Sequence, residues 1–536
     1  MKNKLFIILA VVIIGILGFA LFNTEKQNGF TSPDISGLSE AQEAKVVNLK
    51  NGDTYNLTAN IVKKKIAGRE VKMLAYNGSI PGPILKAPQG SEITINFTNN
   101  IDAPTTIHSH GIRLDNEFDG VPGSTQKEVG IGETFSYKIK FPDTGVYWYH
   151  PHLREDYAQE LGLYGNYIVS PADQTYWPAA NREIPLVIDD LLMENGEIAP
   201  FGETVDHALM GRFGNVMLVN GSDSYALSVE QEEVVRFYVT NTANTRVFNL
   251  AIPGAKMKLV GGDNGRYEKE SFVNSIVLGP SERAVIDVLF EKPGQFSLEH
   301  KTPSKTYIMG KISVLPHVIA KSYKEQFTTL RSNNDIRKAI PNLDSYFSKA
   351  ADKNISLTVN MGSMSMNGSH AMHGGEMMAN NGMHMMPDGT MMNSEGMTMG
   401  GSDEDKIEWE DTMAMMNEMS YADSVQWKIT DQDTGKTGDN INWTFKKGDL
   451  VKIRIFNDPN SEHPMQHPIH FHGQRFLVLS TNGERNQNLV WKDTALIEKG
   501  DTVEILVEMD NLGEWMAHCH ISEHLEAGMM LNFKVQ

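Results

Sequence analysis

From Thr54 onward the chain alternates polar and apolar residues in short runs. Thr54, Asn56, Thr58 and Asn60 fall on one face, and Tyr55, Leu57 and Ala59 on the other. Glu92, Thr94 and Asn96 alternate with Ile93, Ile95 and Phe97 in the same way. A period of two is the signature of a half-buried strand. Turn chemistry lies between the runs, as in Tyr76-Asn77-Gly78-Ser79-Ile80-Pro81-Gly82-Pro83. Residues 46–170 therefore read as an all-β sandwich or barrel. A second strand-rich region follows over 171–316, punctuated by Gly261-Gly262-Asp263-Asn264-Gly265 and Leu278-Gly279-Pro280-Ser281. Strands return towards the C-terminus, between turns at Lys447-Gly448-Asp449, Asn482-Gly483 and Lys499-Gly500-Asp501, and a third domain is placed at 355–536. Residues 317–354 are polar and charged, with helical periodicity near Ile336–Phe347, and read as a linker. A length of 536 residues also suggests about three domains.

Two stretches depart from this pattern. Leu5–Phe22 holds 18 residues without a charge, behind the basic start Met1-Lys2-Asn3-Lys4. As a helix it would span about 27 Å, close to the core of a bilayer. Residues 1–22 are thus an export signal or a membrane anchor. The long apolar run and the absence of a clear A-x-A cleavage site favour the anchor. Residues 23–45 read as a polar tether. The protein is expected outside the cytoplasm, in a periplasm or on the outer face of the cell membrane. The second exception is Met361–Met419, which carries 17 of the 29 methionines together with His370, His373 and His384. Its early part is rich in Gly, Asn and Ser and cannot build an ordinary core. Its later part, Asp411–Met419, has the makings of a short helix. Thioethers are soft ligands that select cuprous ion, so the segment reads as copper-binding; low-complexity sequence without a ligand is the other reading.

Charge narrows the function. Lys and Arg number 48 against 67 Asp and Glu, a formal net charge of −19. Such a surface excludes nucleic acid as a partner, because a phosphate backbone requires a basic one. It suits cations, metal ions included.

The chemistry gathers around Cys519, the only cysteine in the chain, in His518-Cys519-His520-Ile521-Ser522-Glu523-His524-Leu525-Glu526-Ala527-Gly528-Met529. Thiolate, imidazole and thioether together are the ligands of a blue-copper electron-transfer site. On a strand, Cys519 would face one way and His518 and His520 the other. Three further H-x-H pairs occur: His108/His110, His150/His152 and His470/His472. Residues i and i+2 of a strand share a face about 6.6 Å apart, so each pair can grip one metal or two neighbouring ones. With His518/His520 they make eight imidazoles, enough for three copper ions, while His467, Cys519, His524 and Met529 make a mononuclear site. Ten of the seventeen histidines enter this scheme. The pairs are split between the first and last domains, so those domains must touch. The middle domain has only His207 and His300, far apart in sequence, and reads as a spacer.

In their order, and over about residues 45–536, these motifs resemble those of the multicopper oxidases. The resemblance implies an all-β fold of three consecutive cupredoxin domains, with a methionine-rich insertion, 361–419, in the third. It implies four copper ions: a type 1 copper on His467, Cys519, His524 and Met529, a type 2 copper on His108 and His470, and a type 3 pair on His110, His150, His152, His472, His518 and His520. One-electron oxidation of a donor near His467 or His524, expected to approach the surface, would be coupled to reduction of dioxygen to water. Asp119, in Phe118-Asp119-Gly120, matches an acid that the family uses to relay protons. Two departures stand out. Ser109 replaces the usual tryptophan of the first pair. Leu525 replaces an acid that many bacterial relatives carry after the last type 1 histidine.

The insertion is similar to that of bacterial cuprous oxidases of copper tolerance. By that resemblance Met465 binds substrate copper, with His463 where those enzymes have an acid, and Met361, Asp411, Met413 and Met416 are looser candidates. The implied partners are dioxygen and cuprous ion or another small reductant, and a membrane if residues 1–22 are retained; a monomer is expected. A laccase acting on phenols or aromatic amines, a ferrous oxidase and a copper-buffering protein are the alternatives.

Overall fold

A computed structural model describes residues 34–361, 383–385, 391–393 and 405–536 of the protein. The signal or anchor expected at 1–22 and most of the methionine-rich segment lie outside the described residues. Among the described residues no helix is long and apolar enough to cross a membrane.

The alternating runs form three two-sheet sandwiches. The first packs a four-stranded sheet, with Thr54–Ile66 and Glu92–Asn100 at its centre, on a five-stranded sheet that includes Gly145–His150 and His108–His110. Leu57, Ile95, Phe97 and Tyr137 fill the space between them. The middle sandwich pairs a six-stranded sheet, containing Val234–Asn241 and Arg283–Leu289, with a five-stranded one containing Gly294–Lys301 and Thr306–Val318. The last sets a seven-stranded sheet around Asp449–Asn457 and Thr502–Met509 against a five-stranded sheet holding His467–Phe471 and Gly513–Cys519. The all-β expectation is borne out.

Alternation fails where a sheet is covered on both sides. Every residue of Val234–Asn241 and Arg283–Leu289 is buried. One face meets the middle core through Val235, Phe237 and Ile286. On the other, Tyr238, Val260 and Val285 pack on Ile84, Val146 and Ile168 of the first sandwich.

Two connecting stretches are more ordered than their polarity suggests. Helices Asp335–Ala339 and Asp344–Ser348 lay Ile336, Ile340 and Leu343 onto Leu477, Leu479 and Leu506 of the last sandwich. The described end of the expected tether is bonded to the first sandwich: Ala41 N–H donates to Lys63 O and Gln42 N–H to Gly78 O, each at 2.8 Å.

The first and last sandwiches meet directly. Arg113 is forked onto Asp143 at 2.8 and 3.0 Å and reaches Asp510 at 3.2 Å. Arg475, across the junction, bonds Asp143 at 2.9 Å and Glu508 at 2.7 Å. The histidines of the two sandwiches gather in common groups where these domains meet.

Candidate metal centre

Strand pairing sets the histidines in register. His108–His110 runs antiparallel to Gly145–His150 with His108 opposite His150. His467–Phe471 runs antiparallel to Gly513–Cys519, with His470 opposite His518 and Ile469 opposite Cys519. Side-chain alternation then separates Cys519 from its neighbours. His518 lies with His152 and His472, His520 with His110 and His150, and Cys519 with His467 and His524. A fourth group is His108, His110 and His470, and a fifth His108, Asp119 and His472. Within each group the ligand atoms lie within 4.8 Å of one another, and every member is buried.

The hydrogen bonds show which ring nitrogen is left over. His108 Nδ1 meets Asp119 O at 2.7 Å, His150 Nδ1 meets Pro151 O at 2.7 Å, and His470 Nδ1 meets Asp493 O at 2.8 Å. The Nε2 atoms of these three rings are buried with no partner. His110 is reversed: its Nε2 donates to Asp493 Oδ1 at 3.0 Å, and its Nδ1 has no partner. His472 Nδ1 donates to Asp119 Oδ2 at 2.9 Å, and His518 Nδ1 to Cys519 O at 2.8 Å, so their Nε2 atoms face each other at 3.0 Å. Buried nitrogens without partners are costly. Here they converge in groups, and in these six rings the opposite nitrogen is tied to an acceptor, as in metal-bound imidazoles, whereas both nitrogens of His520 are without a hydrogen-bond partner. Burial holds His110, His150, His152, His470, His518 and His520 well below the ordinary imidazole range, and His472 near 3. They are therefore neutral, the form that binds a metal.

At the second centre, Cys519 Sγ lies 3.6 Å from His467 Nδ1 and 3.8 Å from His524 Nδ1, which are 3.3 Å apart. Met529 is buried in the same core, and its carbonyl accepts Cys519 N–H at 3.0 Å. The Ile521 amide points at Cys519 Sγ from 3.5 Å. Burial pushes the Cys519 thiol up, so binding a metal must displace its proton. The donor set of one thiolate and two imidazoles beside a methionine suits copper.

Family models described as multicopper oxidase match residues 59–174, 174–310 and 408–536, together more than half of the chain. The chain belongs to the multicopper oxidase family. It is 25% identical over 471 residues to multicopper oxidase mco of Staphylococcus epidermidis, covering 86% of this chain and 83% of that one. It is 25% identical over 578 residues to copper resistance protein A of Escherichia coli, covering 90% and 93%. The crystal structure of a multicopper oxidase from Pseudomonas thermotolerans superposes with a TM-score of 0.66 at 25% identity, over 92% of this chain and all 100% of that one. The protein is thus a copper-dependent oxidoreductase built from three cupredoxin domains, and it couples a reducing substrate to dioxygen.

Two expectations about this oxidase change. His467 and His524 do not approach the surface: they are 1% and 0% exposed. Trp427 stacks on His524 with ring centroids 4.0 Å apart and meets His467 edge-on at 4.8 Å. The second change concerns the middle domain, which does more than separate its neighbours. Its segment Leu209, Met210 and Phe213 packs with Met361, Met413 and Met416. Helix Ala414–Glu418 is tied to that segment by Asn417, whose side chain accepts Met210 N–H at 2.9 Å and donates to Gly211 O and Asp411 Oδ2 at 2.8 and 2.9 Å. Met210 lies in a strand-rich region without a ligand motif, so nothing in the sequence marked it. His463 and Met465 are buried, and His463 Nε2 has no partner. Burial lowers His463 to about 4 against the pull of nearby Asp411.

The missing acid at position 525 has nearby counterparts. Glu523 and Glu526, three residues later on the same helix, are raised by burial, to about 8 and about 7. Glu155 reaches within 3.5 Å of His152 Nδ1, and neither of its carboxylate oxygens has a hydrogen-bond partner.

Proposed function

We propose that this multicopper oxidase oxidises cuprous ion outside the cytoplasm, in the service of copper tolerance. The observation that carries the reading is the roof over the Cys519 centre. Both of its imidazoles are buried against Trp427, whose indole N–H bonds Ala208 O at 2.7 Å, and the residues that follow Ala208, Leu209–Phe213, pack with Met361, Met413 and Met416 of the last domain. A phenol needs an open apolar pocket beside His467, and there Trp427 lies edge-on to the imidazole and is tied to Ala208 of the middle domain. A bare metal ion needs only soft ligands, and thioethers favour cuprous over cupric ion.

In this reading His467, Cys519, His524 and Met529 hold the type 1 copper, and His108 and His470 the type 2 copper. His110, His150 and His520 hold one type 3 copper, and His152, His472 and His518 the other. When bound, the four coppers supply one-electron redox chemistry, so that four cuprous ions, four protons and one dioxygen yield four cupric ions and two waters. Met465, His463, Met361, Asp411, Met413 and Met416 receive the substrate ion, and Met210 joins them. A cupric product is harder and leaves this set more readily. Cys519 is joined by single peptide units to His518 and His520, so the donor side and the oxygen side share one short piece of chain. Asp119 keeps His472 in place through Oδ2, while its Oδ1 is free of any hydrogen-bond partner to take up and pass a proton. The uncharged run Leu5–Phe22 supports an extracytoplasmic location.

The test is oxygen uptake by the copper-loaded protein with cuprous ion or a simple phenol as sole reductant, for the parent chain and for Met413→Leu with Met416→Leu. Rapid cuprous oxidation that the double substitution slows severalfold is the expected result. Rapid phenol oxidation with poor cuprous turnover would replace this reading with a laccase.

A further inference from the structure

The middle domain places no residue in any of the five metal-binding groups. One of its side chains nevertheless reaches the group that holds two of the histidines. Arg283 is fully buried and opens the strand Arg283–Leu289. Its guanidinium forks onto Asp493 of the last domain, with Nη1 at 2.6 Å from Oδ1 and Nη2 on Oδ2. Two of the remaining three donors are also used: Nε donates to Val146 O of the first domain at 2.9 Å, and Nη1 to Ser281 O at 2.9 Å. Asp493 in turn accepts His110 Nε2–H on Oδ1 at 3.0 Å, and its backbone carbonyl accepts His470 Nδ1–H at 2.8 Å. Thr494 Oγ1 closes the arrangement at 3.0 Å from Asp493 Oδ1. The approach is so close that Gly111, at φ +80°, has no room for a Cβ: one would lie 2.2 Å from Asp493 Oδ2 and 2.8 Å from Arg283 Nη2.

Asp119 does the matching work across the cluster. Its carbonyl accepts from His108 and its carboxylate from His472. The two aspartates thus each tie one histidine from the first domain to one from the last. They differ in how the carboxylate is held. Asp493 is clamped by an arginine, whereas among the described residues no lysine or arginine pairs with Asp119, and its Oδ1 makes no hydrogen bond, with His108 Nδ1 3.4 Å away.

We infer that Arg283 is a positioning residue for the oxygen-reducing copper cluster: it locks Asp493 so that His110 and His470 present Nδ1 and Nε2 to their metals. A bidentate guanidinium fixes both the place and the plane of a carboxylate, and the acceptor behind a metal-bound imidazole sets its tautomer and orientation. The asymmetry divides the labour. The clamped Asp493 holds geometry, and the unclamped Asp119 is left to move protons. The inference rests on the copper assignment proposed above.

The test uses the full-length, copper-loaded protein with Arg283→Gln, Arg283→Lys and, as a control, Arg475→Gln. Arg475 also ties the first domain to the last, but through Asp143 and Glu508, away from Asp493. Copper per chain, the blue absorption and the electron paramagnetic resonance of the type 1 and type 2 coppers are read beside oxygen uptake. Arg283→Gln should keep the blue centre, shift or lose the type 2 signal, and lower oxygen uptake about 10–100-fold, the usual cost of removing such a support. Arg283→Lys, with charge but no fork, should fall between it and the parent. An unchanged type 2 signal in Arg283→Gln, or the same change in Arg475→Gln, would overturn the inference. Should Arg283→Gln lose the blue centre through misfolding, Arg283→Lys decides: a parent-like type 2 signal there also overturns it. A parent protein without the type 2 signal would instead sink the copper assignment.

Discussion

Individual side chains set the protonation chemistry. Burial opposes a charge on Asp119, but His472 and His108 outweigh it and hold the carboxyl well below its usual range. His472 engages Oδ2, and Oδ1 makes no hydrogen bond, with His108 Nδ1 3.4 Å away. Asp119→Asn keeps the shape and an acceptor for His472 but cannot carry a proton. Oxygen uptake should fall about 10²–10⁴-fold, with copper content and the blue band unchanged; a loss of copper would reassign Asp119 to positioning alone. His300 offers a titration outside the metal centre. It is buried against Tyr307, stacked at 5.5 Å, and accepts Asn249 N–H on Nδ1 at 3.1 Å. Burial lowers it to about 3, against about 6.5 in an unfolded chain. Between those values the unfolded state binds the extra proton, so this stability is complete above pH 6.5 and is lost as pH falls toward 3. The limit is about 1.4 kcal/mol per pH unit. Urea unfolding of His300→Gln at pH 6.5 and 4.5 should show a shallower pH dependence than the parent, whatever the absolute stabilities.

At the scale of elements, the pieces that matter are short and held from outside. Helix Ala414–Glu418 has five residues, too few to be stable alone. Asn417 supplies the missing support by bonding Met210 N, Gly211 O and Asp411. Ser420 adds to it, its Oγ accepting Leu209 N–H at 2.9 Å. Asn417→Ala strips several buried groups of their partners, at about 1–3 kcal/mol each. That strain falls on the roof of the Cys519 centre. Cuprous oxidation should slow severalfold while phenol oxidation rises, because the layer that excludes larger donors loosens; equal slowing of both would mean that the helix supports the fold and not the choice of substrate. The strand His108–His110 is likewise only three residues long, and Gly145–His150 holds it in register.

At the scale of the whole molecule, the two centres differ in what assembles them. His467, Cys519, His524 and Met529 belong to one sandwich and share its core. The eight paired histidines come four from each of two sandwiches, and the junction is held by polar links such as Arg113–Asp143–Arg475 and Arg283–Asp493. Interfaces between domains loosen more readily than domain cores. In rising urea, the type 2 signal and oxygen uptake should therefore disappear before the blue band. Simultaneous loss would mean that the three sandwiches unfold as one unit.

The sequence by itself determined the strands, the three-domain count and the sets of candidate ligands. Period-two alternation reports which face of a strand is buried, and His108 and His110 share one strand as expected, whereas the strands of the other three pairs end before His152, His472 and His520. It also separated Cys519 from His518, which fall in different groups because adjacent residues on a strand point to opposite faces. The tertiary structure decided what depends on surfaces meeting. Whether His467 and His524 reach solvent depends on a middle-domain segment more than 250 residues earlier in the chain. A full Val234–Asn241 strand looks unlike a half-buried one only because a second domain covers its outer face. Met210 and Arg283 belong to no motif: a methionine or an arginine in a strand-rich region has no spacing to betray it. Their roles come from where packing sends them, one over the Cys519 centre and the other onto Asp493.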